Sequence, residues 1–262
     1  MKVVTREDIA LTLDLLGIVP GDTVLMHSAL TAIGRVEGGA DGLIDAVLDV
    51  LGPEGTLVMS SLSGWDAPFD PATTPTNVGY IGETFCRRPG TLRSWHPVHS
   101  VTAVGKHAAY ITEGHERCAT GCGEGSPYLK IRDLGGKILL LGVDEDRNTF
   151  LHCMEEYVDA PYLVTLDIPA PVYMPEAEKF TLTKFPPGHR DFKGTTPAMR
   201  RAGLVEEAKL GSAVVRCMPM QPLFDWAVSH LQEDPFFFLC ENESCSFCSL
   251  ARVGLHDEVG DH

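Results

Sequence analysis

The apolar positions of this chain change spacing from one segment to the next, and the changes predict where helices give way to strands. Between Arg6 and Leu16, the residues Ile9, Leu13 and Leu16 recur at three- and four-residue steps, as on one helix face. Thr5, with Asp8 three residues on, is a capping signal, and Gly17 is suited to end that helix. Pro20-Gly21-Asp22 makes a turn, and Thr23 to His27 reads as a short buried strand. The pattern then recurs. A helix from Gly42 to Leu51, capped by Asp41, leads through Pro53-Glu54-Gly55 into a strand from Thr56 to Ser60. VPGDTVLM and GPEGTLVM thus read as one supersecondary unit used twice. A third helix begins at Ser126-Pro127 and ends near Gly135-Gly136, and Lys137 to Val143 (KILLLGV) is the most apolar strand. Helices alternating with wholly apolar strands predict an α/β fold with a central sheet covered on both faces.

Other segments depart from this rhythm. Ser61 to Pro97 is irregular and rich in Pro, Thr and Gly, and long loops of that kind often carry function. Pro161 to Pro197 is rich in proline and aromatic residues, and Tyr162–Ile168 and Lys179–Phe185 predict a smaller antiparallel lobe at about residues 160–200. Leu223 to Leu231 reads as a late helix. The predicted organisation is a single domain over residues 1–235 and a cysteine-rich C-terminal extension over 236–262, with weaker order after Leu255.

Composition narrows the function classes. With 262 residues, 44% of them apolar and 22% charged, the chain can bury one large core and is not a disordered protein. Its net charge of −15 repels nucleic acid and anionic membranes and attracts cations. No apolar run approaches the roughly 20 residues that span a bilayer. MKVVTREDIA lacks the plan of a signal peptide, so a cytoplasmic location is expected. Eight cysteines in such a compartment are expected to be reduced thiols. Cys240, Cys245 and Cys248 form C-x4-C-x2-C, compatible with a metal if His256, Cys217 or a distant residue supplies a fourth ligand. The motif lacks the second CxxC of a strong zinc signal, and no metal ligand is assigned.

Two stretches carry chemistry. From His27-Ser28-Ala29-Leu30 through Gly34 to Gly38-Gly39, a strand ends in a hydroxyl-bearing turn and a glycine-bearing loop leads to a helix. Backbone N–H groups in such a turn can bind phosphate oxygens, although glycines also serve simple sheet-to-helix connections. In Asn148-Thr149-Phe150-Leu151-His152-Cys153-Met154-Glu155-Glu156, Thr149 can cap a helix whose first turn carries His152. The helix dipole there disfavours an imidazolium and keeps the ring neutral, as a base requires. Glu155 and Glu156 follow at i+3 and i+4, and either can orient the ring or hold a cationic amine. The position after a buried strand is where open α/β sheets place their sites.

The segments LMHSALTAIGRVEGGADGLIDAVLDVLGPEGTLVM, HPVHSVTAVG, GSPYLKIRDLGGKILLLGV and NTFLHCMEE, with the later TTPAMRRAGLVEEAKLGSAVVRCMPMQPLFDWAVSHL, resemble in order and spacing the successive blocks of the aminoglycoside 3-N-acetyltransferase family. Together they cover most of residues 5 to 232. The resemblance implies that family's own α/β fold, a central mixed sheet flanked by helices with a smaller antiparallel lobe, and not the Gcn5-related fold. Arg35 to Ala40 does satisfy the R-x-x-G-x-A pattern of the latter, but Ser28 to Gly34 stands where its strand would have to be. The resemblance further implies acetyl-CoA as cosubstrate, no required metal, and acetylation of the 3-amino group of 2-deoxystreptamine aminoglycosides.

Residue by residue, His152 matches the family's essential histidine and Glu155 the acid of its H-x-x-E. His27, Ser28, Ala29, Leu30, Arg35, Val36, Gly38 and Gly39 fall in its CoA phosphate region. Ser100 in HPVHSV and Ser126 in GSP match positions lining the CoA cleft, and Asp66, after Trp65, resembles an acid on the antibiotic side. The chain departs from the pattern at Glu156, where members commonly carry a second histidine, and in its cysteine-rich tail.

The chemistry expected is direct transfer. His152 takes the proton of the attacking amine, Glu155 stabilises the imidazolium, and Asp66, Glu155 and Glu156 hold ammonium groups of a polycationic acceptor. Backbone N–H groups near Ser28–Leu30 or Ser126 are candidates for the oxyanion. A covalent route through Cys153 is disfavoured, because neighbours on a helix point about 100° apart. Two other readings stand beside this one: the same chemistry on another amine, such as an amino sugar or biosynthetic intermediate, and a thiol-rich metal-binding protein without transferase activity. The expected assembly is a monomer or homodimer, with no nucleic-acid or membrane partner.

Overall fold

Thr5 accepts a hydrogen bond from the Asp8 N–H while the Asp8 carboxylate accepts one from the Thr5 N–H, and this capping box starts the chain's first helix. The computed structural model describes residues 3–253. In chain order its elements are α1 (Arg6–Leu15), β1 (Thr23–Ser28), α2 (Leu30–Ile33), α3 (Gly39–Leu51), β2 (Thr56–Ser60) and α4 (Tyr80–Cys86). Then follow β3 (Leu92–Arg93), β4 (Val101–Gly105), α5 (Ala108–Thr112), α6 (Pro127–Asp133), β5 (Lys137–Leu141) and α7 (Leu151–Tyr157). The last part holds β6 (Val164–Pro169), β7 (Lys179–Phe185), α8 (Thr196–Arg201), β8 (Glu206–Leu210), β9 (Ala213–Pro219), α9 (Met220–Glu233) and α10 (Ser246–Val253).

The fold is α/β, built on a mixed seven-stranded sheet in the order β3-β4-β2-β1-β5-β9-β8. Only the central β2, β1 and β5 run parallel, and β4 and β9 close the two sides antiparallel. The repeated unit seen in the sequence sits at the centre, because β1 and β2 lie side by side with Thr23 opposite Thr56 and Met26 opposite Met59. Parallel strands covered on both faces read as near-continuous apolar runs, and these do. Leu25, Val58, Ile138 and Leu140 pack on one side with α5, α6, α7 and α9. Val24, Met26, Leu57, Met59, Leu139 and Leu141 pack on the other with α1, α3 and α4. No helix among the described residues is long and apolar enough to cross a membrane.

The smaller antiparallel lobe is the hairpin of β6 and β7, with Ile168, Phe180 and Leu182 packed on Val98. The stretch after residue 235 docks rather than trails. Phe238 enters the main core, and Leu239, Phe247, Cys248 and Ala251 bury against Ala160 and Tyr162. His256 and the expected loss of order after Leu255 lie outside the described residues.

Several boundaries differ from the sequence reading. Helix α3 starts at Gly39, three residues before Gly42, and Gly38 rather than Asp41 is its N-cap. Gly38 has φ +71°, a conformation open to glycine, and a Cβ on Gly42 would overlap the Glu37 carbonyl oxygen. Strand β5 stops at Leu141, because Gly142 at φ +70° turns the chain away. Elements inside the irregular 61–97 stretch, and the β8–β9 hairpin, carry too few consecutive apolar residues to be read from pattern alone.

Replacing Thr5 with Ala removes the capping box and should cost about 1 kcal/mol of stability. Urea denaturation of the variant checks this, and an unchanged midpoint would show that α1 is held by packing alone.

Candidate active site

The site is built around a buried carboxylate. Glu155, on α7, is fully buried and accepts three hydrogen bonds. His152 Nδ1 lies 2.6 Å from its Oε2, while the Tyr162 hydroxyl (2.8 Å) and Arg190 Nε both donate to Oε1. Burial alone would raise this carboxyl, but the Arg190 guanidinium and the hydrogen bonds from His152 and Arg190 hold it below its ordinary value. A carboxylate only accepts, so Nδ1 is the nitrogen of His152 that donates to Glu155, and Nε2 is the one left turned away from it. The His152 side chain retains 21% of its exposure, so that nitrogen stands at an accessible edge. Helix α7 delivers His152 to this place because Asn148–Phe150 turns sharply after β5. Thr149 is not its cap, however. Phe150 is the N-cap and makes no side-chain capping bond, while the Thr149 hydroxyl accepts from Ser60 Oγ at 3.5 Å.

Arg190 is itself buried and needs its own support. Its Nη1 donates to the carbonyls of Pro187 and His189, both at 2.9 Å, and its guanidinium lies 4.5 Å from the Tyr162 ring centroid. Neither Arg190 nor Tyr162 stands out in the sequence. The available signal was a cation in the proline-rich stretch PPGHRDF, since a buried glutamate requires a counter-charge.

Around His152 the wall is aromatic. Phe192 lies 5.1 Å from its ring and His99 6.5 Å, and the contacts run on from His99 to Phe185 (6.0 Å) and from Phe185 to Trp65 (5.6 Å). Asp66, exposed beside Trp65, thus sits on the outer rim of the same wall. His99 packs so tightly that a Cβ on Gly121 would overlap its ring nitrogen. His96 and His115 stack behind it at 4.4 Å, and Ser94 and the Gly121 carbonyl contact the two ring nitrogens of His115.

Glu156 does not join this group. It turns away from His152, and both its oxygens accept from the Cys122 N–H, at 3.0 and 3.1 Å. Burial pushes its carboxyl up to about 8, which disfavours the anionic form that the expected role as ammonium holder requires. It borders a cavity of about 700 Å³ whose lining does not include His152. Cys153 is fully buried, with its thiol raised by that burial, as disfavours a covalent route through sulfur.

The residues expected on the CoA side divide. His27 is buried at the end of β1, where burial lowers its imidazole to about 4. His27 Nε2 and the Ser28 hydroxyl are buried without a hydrogen-bond partner, an arrangement that asks for a ligand or water. The Ala29 N–H is taken by the Leu141 carbonyl and the Ser126 N–H by that of Gly123, so neither can hold an oxyanion. Leu30 opens α2. Arg35 lies apart, beside a cavity of about 480 Å³ shared with α1 and Gly211, and Val36 bridges Val4. Gly38 and Gly39 shape the start of α3. Ser100 is buried, donating to the Ser61 carbonyl (2.7 Å) and accepting from Arg93. Ser126 caps α6 and donates to the Cys122 carbonyl (2.9 Å). Their hydroxyls thus serve the fold. Unforeseen in the sequence is a cavity of about 490 Å³ beside Ala32 and Gly142, after β5, lined by Arg147, Lys193 and Arg216 together with Asp144, which pairs with Lys193, while Glu145 and Glu207 pair with Arg216.

A partly exposed imidazole backed by a buried carboxylate, on the helix that follows the central strand β5, is an arrangement suited to proton transfer. The sequence model for aminoglycoside 3-N-acetyltransferase matches residues 25–232. Aminoglycoside N(3)-acetyltransferase IV of Salmonella sp is 33% identical over 229 residues, covering 86% of this chain and 86% of that protein. Aminoglycoside N(3)-acetyltransferase VII of Streptomyces paromomycinus is 30% identical over 268 residues, covering 88% and 92%. Among solved structures, a histidine-to-alanine mutant of aminoglycoside acetyltransferase AAC(3)-IVa in complex with a gentamicin superposes with a TM-score of 0.88 at 31% identity, covering 97% of this chain and 98% of that one. AAC-IIIb in a binary complex with CoASH gives 0.81 at 28% identity, covering 88% and 97%. The chain belongs to the aminoglycoside 3-N-acetyltransferase family.

The buried histidines set an acid limit. Burial lowers His27 to about 4 and His99 and His115 to about 3, with His152 and His115 adding repulsion at His99, and lowers His96 well below 6.5. Unfolded, all four take up protons near 6.5, whereas folded they do not until the pH is far lower. Their stabilisation is therefore present well above pH 6.5 and is lost progressively as pH falls below it toward the lowered folded-state values. Glu156 works in the opposite sense, one proton against four. Urea midpoints should fall steeply between pH 6.5 and 4.5, and a flat profile there would contradict the neutral cluster.

Proposed function

We propose that this chain transfers the acetyl group of acetyl-CoA to the 3-amino group of a 2-deoxystreptamine aminoglycoside, by direct attack with His152 as general base. The observation that carries the reading is the 2.6 Å contact between His152 Nδ1 and Glu155, which leaves Nε2 free to accept a proton at the exposed edge. As the amine nitrogen bonds to the thioester carbon, Nε2 takes a proton from it, and Glu155 stabilises the imidazolium. When the carbon–sulfur bond breaks, the imidazolium returns that proton to the departing CoA thiolate. A base so placed contributes on the order of 10² to 10⁴ in rate.

The acetyl-CoA side is assigned to the end of β1. The unpartnered Ser28 hydroxyl lies there, and the cavity bearing Arg147, Lys193 and Arg216 offers the cations that the CoA phosphates require. Phe192, the neighbour of Lys193, touches the His152 ring, so the two regions adjoin. The acceptor side is assigned to the aromatic wall ending at Trp65 and Asp66. Glu155 and Arg190 are too deep to touch the acceptor, and Glu156, its carboxyl raised by burial, accepts from the Cys122 N–H instead. The attraction of a polycation therefore falls to Asp66 and the overall charge of −15. The eight described cysteines are all unpaired, as suits a cytoplasmic enzyme.

The test is CoA release from acetyl-CoA with kanamycin, gentamicin and simple amino sugars as acceptors, with NMR of the product to locate the acetyl group. His152→Ala should lower kcat at least about 100-fold while CoA binding by calorimetry survives, and Cys153→Ser should keep its turnover. Unchanged turnover in the histidine variant would remove the base. Acetylation of amino sugars alone would replace the acceptor.

The KM for the acceptor should rise with ionic strength, because screening weakens the attraction of a polycation to the acidic surface. An acceptor KM that does not change with salt would assign no steering role to that charge.

A further inference from the structure

The described residues contain a cluster of soft ligands that the acyl transfer does not use. Cys240, Cys245 and Cys248 bring their sulfurs together with a ring nitrogen of His189, all four atoms lying within 4.8 Å of one another. The C-x4-C-x2-C pattern thus finds its fourth partner in the turn after β7. Cys217, the alternative from sequence, is locked in β9 opposite Leu139. Although the three cysteines are close, none is joined in a disulfide.

The distances suit a tetrahedral ion. With bonds of about 2.3 Å to sulfur and about 2.0 Å to nitrogen, tetrahedral geometry places the two ligand atoms roughly 3.6 Å apart. Cys248 Sγ lies 3.6 Å and Cys245 Sγ 3.7 Å from His189 Nδ1. Three thiolates and an imidazole, with no carboxylate among them, select Zn²⁺ over Mg²⁺, Ca²⁺ or Mn²⁺, and four protein ligands leave no open position for catalysis.

We propose that His189, Cys240, Cys245 and Cys248 form a structural zinc site that ties the C-terminal extension to the turn bearing Arg190. The surroundings explain what such a tie would do. The core it joins is small, consisting of Ala160, Tyr162, Leu239, Phe247, Cys248 and Ala251. A patch of that size gives little hydrophobic stabilisation, and a metal is a common supplement. The ligand His189 precedes Arg190, whose guanidinium donates to the His189 carbonyl and lies 5.1 Å from the Phe247 ring centroid. Fixing residue 189 therefore fixes the cation that holds Glu155, and the metal acts on the active site only through position. Binding displaces the three thiol protons, so affinity falls as pH is lowered.

The experiment uses the full chain. Protein expressed with zinc, or loaded with excess Zn²⁺ and then desalted, should carry about one zinc per chain by elemental analysis, and a Cys118→Ser control should carry the same. The Cys240→Ser/Cys245→Ser variant should fall to nearly none. Should that variant fail to fold, Co²⁺ substitution into the wild-type chain serves instead, with thiolate-to-cobalt charge transfer and the intense visible bands of tetrahedral Co²⁺ expected. In the metal-free chain, hydrogen exchange at residues 186–191 and 246–253 should quicken together. A wild-type chain that stays well below one zinc after loading, or in which two of the three sulfurs prove to be joined in a disulfide, overturns the site. Zinc binding without faster exchange at 186–191 on its removal overturns the tie to Arg190. Neither outcome bears on whether the chain acetylates an aminoglycoside.

Discussion

A carboxylate cannot be placed in a protein interior alone, and the arrangement of half this molecule follows from how Glu155 is accommodated. Its two oxygens receive His152, Tyr162 and Arg190, so the negative charge is both paired and hydrogen-bonded. Arg190 then poses the same problem one layer further out. The carbonyls of Pro187 and His189 and the rings of Tyr162 and Phe247 meet it in part, while Nη2 is buried without a hydrogen-bond partner. Helix α7, the antiparallel lobe, the turn after β7 and helix α10 are drawn to one point by this sequence of requirements. The His152 imidazole is its outermost member, the one whose edge meets solvent.

How much of this was legible in the sequence depended on range. The α1 capping box, the doubled α/β unit and the buried strands are encoded by neighbours three or four residues apart, so they could be read directly. His152 and Glu155 were legible for the same reason, being one helical turn apart. Arg190 and Tyr162 reach Glu155 across 35 and 7 positions, through packing that no local pattern records. Glu156 shows the limit from the other side. Helical spacing placed it beside Glu155, but α7 has only seven residues and its far face looks onto the 120–123 loop, so adjacent glutamates enter different surroundings. Ser100 and Ser126 were named for their motifs, and the fold uses their hydroxyls to satisfy buried carbonyls.

The electrostatics are layered. The surface is strongly acidic, while the interior behind the site is a cluster of histidines that desolvation keeps uncharged. A second cationic ring beside His152 would resist formation of its imidazolium, so the neutrality of His99 favours the proton transfer assigned to its neighbour. Arg147, Lys193 and Arg216 line the cavity beside Gly142, where Asp144, Glu145 and Glu207 partly offset their charge.

The close seat of His99 against Gly121 bears on how such a protein can drift. Any side chain at 121 intrudes on the ring that flanks His152, so substitution there disturbs the reactive wall before it improves anything. Trp65 and Asp66 stand at the far, open end of that wall, both exposed. If that rim receives the acceptor as proposed, variation in what is bound can fall there, and the doorway can be retouched without rebuilding the hearth behind it.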